Sequence, residues 1–247
     1  MEESASSPAY QERPSAAVAG AVVWTRTLRS AVEAPVLPDG CMDLLWMDGA
    51  LRVAGPDTRA REVALAAGTR ISGIRFAPGT APALLGVPAH ELRDAGVELD
   101  ALWSPADVRR AAESVAAADD PMTGLEVVSA ERAAVIEPAD PVVRWIAEQL
   151  AAGRSVAETA TATGFGARRL HRLSLASFGY GPKTLARVLR LQHGLALSRA
   201  GVPFAEVAAR AGYADQAHFA REVRDLTGMP LRRLLTVQGA DQASNAA

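Results

Sequence analysis

The chain has few residues that could bind a metal or form a disulfide. Its 247 residues include one cysteine, Cys41, and four histidines. One cysteine excludes an intramolecular disulfide and any cysteine-rich zinc finger. A catalytic metal site would need several histidine and carboxylate ligands that converge, yet His90 is the only histidine before residue 170. We therefore predict no metal and no other cofactor.

Long hydrophobic runs and a basic amino terminus are also missing. No window approaches roughly 18 uninterrupted apolar residues, and the chain begins Met1-Glu2-Glu3-Ser4 instead of with basic residues. We predict neither a membrane span nor a signal peptide, and hence a cytoplasmic protein without a membrane partner. With 49% hydrophobic residues, the chain is long enough for two domains that each bury a core.

Lysine is nearly absent, and charge divides the chain in two. Lys183 is the only lysine among 26 basic residues, which we interpret mainly as the arginine bias of a GC-rich genome. Residues 139–247 contain 14 Lys and Arg against 8 Asp and Glu, whereas residues 1–138 contain 12 against 20. Because phosphate neutralisation dominates affinity for DNA, the basic C-terminal part is the expected DNA-binding part.

A pattern typical of a helix-turn-helix occurs twice, about 48 residues apart. In each copy a short alanine-rich helix is predicted to end at a glycine followed by an aromatic residue, Gly164-Phe165 or Gly212-Tyr213, and a second helix begins within about four residues. The segment 183–197 between the copies has the spacing of an amphipathic helix. Such a helix would fix the separation of two recognition helices, so that both could enter successive major-groove turns about 34 Å apart.

Three motifs in this region resemble AraC/XylS-type bacterial transcription regulators. They are Gly179 to Arg190, Ala211 to Val223 and Thr227-Gly228-Met229-Pro230. The resemblance covers residues 140–236 and implies a sequence-specific DNA-binding regulator that is not an enzyme. It implies double-stranded DNA as a partner, and RNA polymerase if the protein activates transcription. An unidentified small-molecule effector and a homodimer are open alternatives.

The N-terminal part is predicted to be an α+β domain. Leu37 to Leu44 and Gly73 to Gly79 resemble an uncharacterised N-terminal module of actinobacterial regulators. Short β-rich runs at 21–25, 41–46 and 71–76 predict an antiparallel sheet, with turns such as Asp48-Gly49, and helices follow. The predicted organisation is a disordered tail at 1–16, an α+β sensing or self-association domain at 17–130, a linker at 131–139, an all-α domain of two helix-turn-helix units joined by a long helix at 140–236, and a disordered tail at 237–247.

Helical geometry separates inward side chains from DNA-facing ones in each recognition helix. The inward residues are predicted to be Leu170, Leu173 and Phe178 in the first helix and Phe219, Val223 and Leu226 in the second. The residues predicted to read bases are Arg168, His171, Arg172, Gln216, Ala217, Ala220 and Arg221. The residues predicted to contact phosphate are Arg169, Lys183, Thr184, Arg187, Arg190 and Arg224. The predicted base-reading residues of the first unit include two arginines. We therefore expect the first unit to discriminate between bases more strongly than the second.

The chain departs from the family pattern where each recognition helix begins. The family usually has a serine N-cap there, whereas this chain has Gly166 and Ala214. Alanine costs about 1 kcal/mol at an N-cap, so we expect the second unit to be the looser one unless Asp215 caps instead. His218 is expected to pack or to cap.

The N-terminal part offers little chemistry. Cys41 follows the turn sequence Pro38-Asp39-Gly40, and no second histidine is available to activate its thiol, so we interpret Cys41 as structural. Two alternatives stay open: a small-molecule-modifying or alkyl-acceptor sensor domain that uses Cys41, and an architectural DNA binder without an effector. Three tryptophans could line a ligand pocket, although core packing is commoner: Trp24, Trp46 and Trp103.

Overall fold

The computed structural model of the chain describes residues 10–28, 35–62 and 65–246, with only the backbone of 240–246. Six antiparallel strands form one sheet in the order β1-β2-β5-β3-β4-β6. The strands are β1 (Tyr10–Pro14), β2 (Val22–Thr27), β3 (Met42–Met47), β4 (Ala50–Ala54), β5 (Arg70–Phe76) and β6 (Gly96–Glu98). The predicted Asp48-Gly49 turn joins β3 to β4, and both residues have positive φ, as a tight hairpin requires.

The two faces of the sheet have different surroundings because side chains alternate along each strand. Val23, Leu44 and Ile74 point to one face and are fully or almost fully buried against helices. These helices are α1 (Ala81–Leu85), α2 (Pro105–Ala117) and α3 (Pro121–Val135). The opposite face carries Trp24 and Arg75 and borders a cavity. The predicted α+β class of this domain is therefore confirmed.

Seven helices follow the sheet domain in the described part of the chain. They are α4 (Pro141–Ala151), α5 (Val156–Thr163), α6 (Ala167–Phe178), α7 (Pro182–Arg199), α8 (Phe204–Arg210), α9 (Gln216–Thr227) and α10 (Leu231–Ala246). Two hydrophobic cores lie at the two ends of α7. Leu185 and Val188 belong to the core with α4 and α6, whereas Leu191 and Leu195 belong to the core with α8 and α9.

Three of the predicted boundaries differ from the structure. The tail predicted at 1–16 includes the ordered strand β1. This strand pairs with β2, and Arg13 and the backbone N–H of Ala16 both donate to the carboxylate of Glu126. Residues 1–9 lie outside the described residues. The linker predicted at 131–139 begins later, since α3 continues to Val135. The tail predicted at 237–247 is helical through Ala246, in line with its alanine-rich composition and the hydrogen bonds from Arg199 to Gln238.

The sheet domain packs directly on the helical region. Gln192 of α7 donates to the carbonyl of Pro38 at 2.7 Å, and the Ala60 N–H donates to the carbonyl of Leu226 in α9 at 2.8 Å. At the other end, Gly79 lies against Val143 of α4 and Phe178 of α6. Both cores of the helical region therefore touch the sheet domain. None of the helices in the described ranges is long and apolar enough to span a membrane.

Candidate nucleic-acid interface

The first helix-turn-helix unit consists of α5 and α6. Ser155 and Glu158 form a reciprocal capping box at the start of α5, which satisfies backbone N–H groups there. Gly164 ends α5 in the left-handed conformation, with φ of 68°. This conformation costs glycine little, so the chain reverses within three residues and α6 begins at Ala167. The predicted turn is present.

One face of α6 is basic and exposed. Arg168, Arg169, His171 and Arg172 are exposed, whereas Leu170 and Phe178 are buried and Leu173 is half-buried. The Arg169 guanidinium lies over the Phe165 ring, 3.9 Å from its centroid. This stacking holds Arg169 beside the turn. Arg168 and Arg172 are exposed one turn apart on the same face of the helix.

The residues predicted to contact DNA through the first unit lie together in space. A surface hollow of about 860 Å³ lies between α5, α6 and the start of α7. The imidazole of His171 lies against Gly181, the N-cap of α7, so α6 contacts the start of α7. The predicted residues that line the hollow are Arg168, His171, Arg172, Lys183 and Thr184.

The second unit consists of α8 and α9 and is capped differently from the first. The Asp215 carboxylate accepts a 2.6 Å hydrogen bond from the backbone N–H of His218. The imidazole of His218 in turn accepts a hydrogen bond from the backbone N–H of Ala214. Asp215 is therefore the N-cap of α9, and His218 supports it as a second capping residue. By contrast, Gly166, the N-cap of α6, provides no side-chain cap. The expected looseness of the second unit does not follow, because Asp215 replaces the missing serine.

The outer face of α9 carries less charge than that of α6. Gln216, Ala217, Arg221 and Arg224 are exposed, and Ala220 is half-buried. Phe219, Val223 and Leu226 are buried, as predicted.

The cations of α7 divide into two groups. Lys183 is exposed at the start of the helix and Thr184 is half-buried beside it. Arg187 instead donates two hydrogen bonds, of 2.8 and 3.1 Å, to the carboxylate of Glu222 in α9. Arg190 lies 3.6 Å from the same carboxylate and stacks on Tyr213. Phosphate contacts of Arg187 and Arg190 stay a prediction. Each arginine would use the N–H groups that do not bind Glu222.

Glu222 joins α7 to α9, a role that the sequence pattern did not predict. It is buried, and although burial alone would raise its pKa, hydrogen bonding and charge from Arg187 and Arg190 hold that pKa below its ordinary value. The sequence does contain a signal. Glu222 lies three residues after buried Phe219 and next to buried Val223, so an acid occurs on the inner face of an amphipathic helix.

The N-terminal domain shows no arrangement for nucleophilic chemistry in the part of the chain described. Burial and the neighbouring Asp39 raise the pKa of the Cys41 thiol well above its ordinary value, which is the opposite of activation. No group of three or more His, Cys, Asp or Glu that could hold a metal occurs among the described residues. Trp46 and Trp103 pack against the core, whereas Trp24 borders the cavity.

Comparisons with known proteins match the N-terminal part and the helix-turn-helix part of the chain separately. One family model, a helix-turn-helix domain, matches residues 159–236, and another, a domain of unknown function (DUF6597), matches residues 12–98. The search of the curated proteins finds no match.

One solved structure matches most of the chain, and another matches less than half of it. An apo variant of ToxT from Vibrio cholerae is 12% identical, covers 89% of this chain and 98% of its own, and has a TM-score of 0.50. A probable AraC family transcriptional regulator from Rhodopseudomonas palustris is 27% identical over 39% of this chain and 96% of its own, with a TM-score of 0.34. The likeness to ToxT shows the fold: a sheet domain followed by a helical region.

Proposed function

We propose that the chain is an AraC-type helix-turn-helix transcriptional regulator with an N-terminal domain, and that it inserts α6 and α9 into successive major-groove turns of one DNA face. The helix-turn-helix family model over residues 159–236 supports this proposal. The family is not a family of enzymes. The half-buried thiol of Cys41, whose pKa is raised well above its ordinary value, does not support the alternative of an alkyl-acceptor domain. RNA polymerase, a homodimer partner, a cytoplasmic location and the domain boundaries 140–236 stay predictions.

The observation that carries this proposal is the group of exposed basic side chains on the first unit. Arg168 and Arg172 are exposed on the same face of α6, and Lys183 joins them from the start of α7. Arginine suits bidentate hydrogen bonding to guanine in the major groove, whereas lysine at a helix start suits a backbone phosphate. We assign Arg168, His171 and Arg172 to bases, and Arg169, Lys183 and Thr184 to phosphate.

The second unit adds fewer hydrogen bonds to bases. Gln216 suits adenine and Arg221 suits guanine, whereas Ala217 and Ala220 can offer only a methyl contact to thymine. Arg224, in the last turn of α9, is assigned to phosphate. Sequence preference should therefore be stronger in the half-site that α6 contacts.

Selection of binding sequences from a random duplex library by the full chain tests this ranking. Arg172→Ala should relax the base preference at one position of one half-site and cost about 1–3 kcal/mol on the selected sequence. Lys183→Ala should weaken binding to all sequences alike and lower the salt slope by about 0.9. Arg110→Ala, at an exposed position of α2, is the matched control and should change neither. A larger loss of preference for Arg221→Ala than for Arg172→Ala would reverse the ranking, and equal binding to all duplexes would refute the proposal.

A further inference from the structure

The helix that follows each helix-turn-helix unit begins in the same way in both units. Gly179 and Gly228 end α6 and α9 in the left-handed conformation, with φ of 82° and 69°. The following helices, α7 and α10, then begin at Pro182 and Leu231, at the same distance along the chain from these glycines, and both residues are buried. The two junctions can therefore be compared residue by residue.

This comparison gives two arginines of α10 a counterpart in α7. Arg232 and Arg233 occupy the second and third positions of α10, which Lys183 and Thr184 occupy in α7. Arg232, Arg233 and Lys183 are exposed, and Thr184 is half-buried. In each helix the next residue is a fully buried leucine. The side chains before that leucine therefore have the same orientation relative to the core of their own unit.

The surroundings of Arg232 also match those of Lys183. In the first unit, Lys183 lines the same hollow as Val156, the first residue of α5. In the second unit, the guanidinium of Arg232 lies over the ring of Phe204, the first residue of α8, 5.8 Å from its centroid. The hollow of the first unit also contains Arg172, which is assigned to bases. Arg232 is therefore expected on the DNA-facing side of the second unit.

Neither arginine has an anionic partner in the described part of the chain. No carboxylate there forms an ion pair with Arg232 or Arg233, whereas Arg210 of α8 lies 3.3 Å from Glu206. The first turn of α10 also contains no acid. Two cations in the first turn of a helix interact unfavourably with the helix dipole. Contact with an external anion would offset that interaction.

We propose that Arg232 and Arg233 bind backbone phosphates beside the half-site that α9 contacts, and so anchor the second unit on DNA. This assignment rests on the proposed function, in which α9 enters a major groove. A guanidinium presents paired N–H donors that match the geometry of a phosphate. Two arginines here correspond to one lysine and one threonine in the first unit. The second unit therefore makes fewer hydrogen bonds to bases than the first unit and binds the backbone more strongly.

The salt dependence of DNA binding by the full chain tests the number of contacts. Each phosphate contact contributes about 0.9 to the slope of log affinity against log salt concentration. Arg232→Gln and Arg233→Gln should each lower the slope by about 0.9, which corresponds to about an eightfold loss of affinity at about 0.1 M salt. The loss should be equal for selected and random duplexes, because phosphates carry no sequence information.

A matched control for these variants lies in the same unit. Arg210→Gln removes an exposed cation of α8 that is already paired with Glu206, and it should change neither the affinity nor the slope. A slope that is unchanged in both Arg232→Gln and Arg233→Gln would overturn the proposal. A slope lowered equally by Arg210→Gln would also overturn it, since any surface cation would then have the same effect.

Neutral methylphosphonate substitutions locate the contacts on the selected duplex. The half-site of α9 is the one whose base preference changes in Arg221→Ala. Replacing single phosphates beside it should weaken binding of the wild type, and at the contacted phosphate should have no further effect on Arg232→Gln or Arg233→Gln. Lys183→Gln should instead lose sensitivity beside the other half-site. Sensitivity lost equally at both half-sites in the α10 variants would refute a local contact.

Arg232→Lys separates the charge from the packing on Phe204. Lysine keeps the charge, so this variant should keep the slope of the wild type. A slope as low as that of Arg232→Gln would show that the contact with Phe204 matters, and not a phosphate, and would overturn the assignment of Arg232. Salt slopes on a random duplex do not require sequence preference. Absence of sequence-selective binding by the wild type would therefore refute the proposed function, while the slopes would still decide whether Arg232 and Arg233 bind phosphate.

Discussion

At the residue scale, one N-cap position distinguishes the starts of the two recognition helices. Asp215 accepts from the backbone of α9, whereas Gly166 leaves the first N–H groups of α6 without a side-chain partner. Gly166 has φ of −65° and ψ of 153°, which serine adopts easily, and a Cβ there would meet nothing within 4 Å. A side-chain cap can therefore be added without strain.

Gly166→Ser should stabilise the protein by a few tenths of a kcal/mol, up to about 1, because serine caps the helix and restricts the unfolded chain. Urea unfolding of the full chain measures the change. Gly166→Ala is the control: it shares the effect on the unfolded chain but lacks the hydroxyl, so serine should exceed alanine. A serine variant no more stable than the alanine variant would mean that no cap forms.

A second residue-scale prediction concerns Asp43. Burial raises its pKa from 3.8 to about 6, and the Arg75 guanidinium opposes that rise. A carboxyl with a raised pKa stabilises the fold fully below its unfolded pKa and loses that contribution as the pH rises through about 6. As the pH falls from about 7.5 to 5, the wild type should gain about 1 kcal/mol of unfolding free energy relative to Asp43→Asn, which cannot titrate. Parallel pH profiles of the two proteins in urea unfolding would contradict this.

At the scale of elements, the contact between α7 and α9 depends on a buried acid. Glu222 of α9 is 7% exposed. It accepts hydrogen bonds from Arg187 of α7 and lies close to Arg190, so it joins the connecting helix α7 to the second recognition helix α9. Because Arg187 is partly exposed and solvent can screen it, the pair is worth less than a fully buried one.

Glu222→Ala should cost about 1–2 kcal/mol of unfolding free energy, since two arginines lose their partner and a small cavity opens. The matched control is Glu206→Ala in α8, where an exposed ion pair with Arg210 should contribute at most about 0.5 kcal/mol. DNA selection on the same variants should show loss of preference confined to one half-site for Glu222→Ala alone. Equal costs for the two variants would show that Glu222 does not hold α9 in place.

The elements also show which features a sequence can predict. The two helix-turn-helix units were predictable because their signals are local: Gly164 and Gly212 end short helices, and apolar residues recur at helical spacing. β1 could not be predicted because its order depends on pairing with β2 and on partners far along the chain, such as Glu126. The pairing of Glu222 with Arg187 and the cavity beside Trp24 depend on how elements pack, which periodicity alone does not specify.

At the scale of the whole molecule, the docking of the two regions depends on close approach at Gly79. Gly79 has φ of 87°, and a Cβ there would overlap Val143 of α4 and lie 2.9 Å from Phe178 of α6. Both neighbours belong to the core of the first helix-turn-helix unit. A side chain at this position would therefore separate the sheet domain from the unit that carries Arg168, Arg172 and Lys183.

Gly79→Ala should destabilise the protein by about 1–3 kcal/mol more than Gly68→Ala, a control that isolates this contact. Gly68 also has φ of 87° but nothing within 4 Å of its Cβ position, so the two variants share the backbone strain and differ only in the clash. Urea unfolding measures the cost, and hydrogen exchange of α4 and α6 should become faster in Gly79→Ala than in Gly68→Ala, because the sheet domain no longer covers them. If the two variants had equal stability and equal exchange, the close approach at Gly79 would not hold the sheet domain on the first unit, and the contacts of Gly179 with Pro56, Ala89 and Arg93 would have to do so.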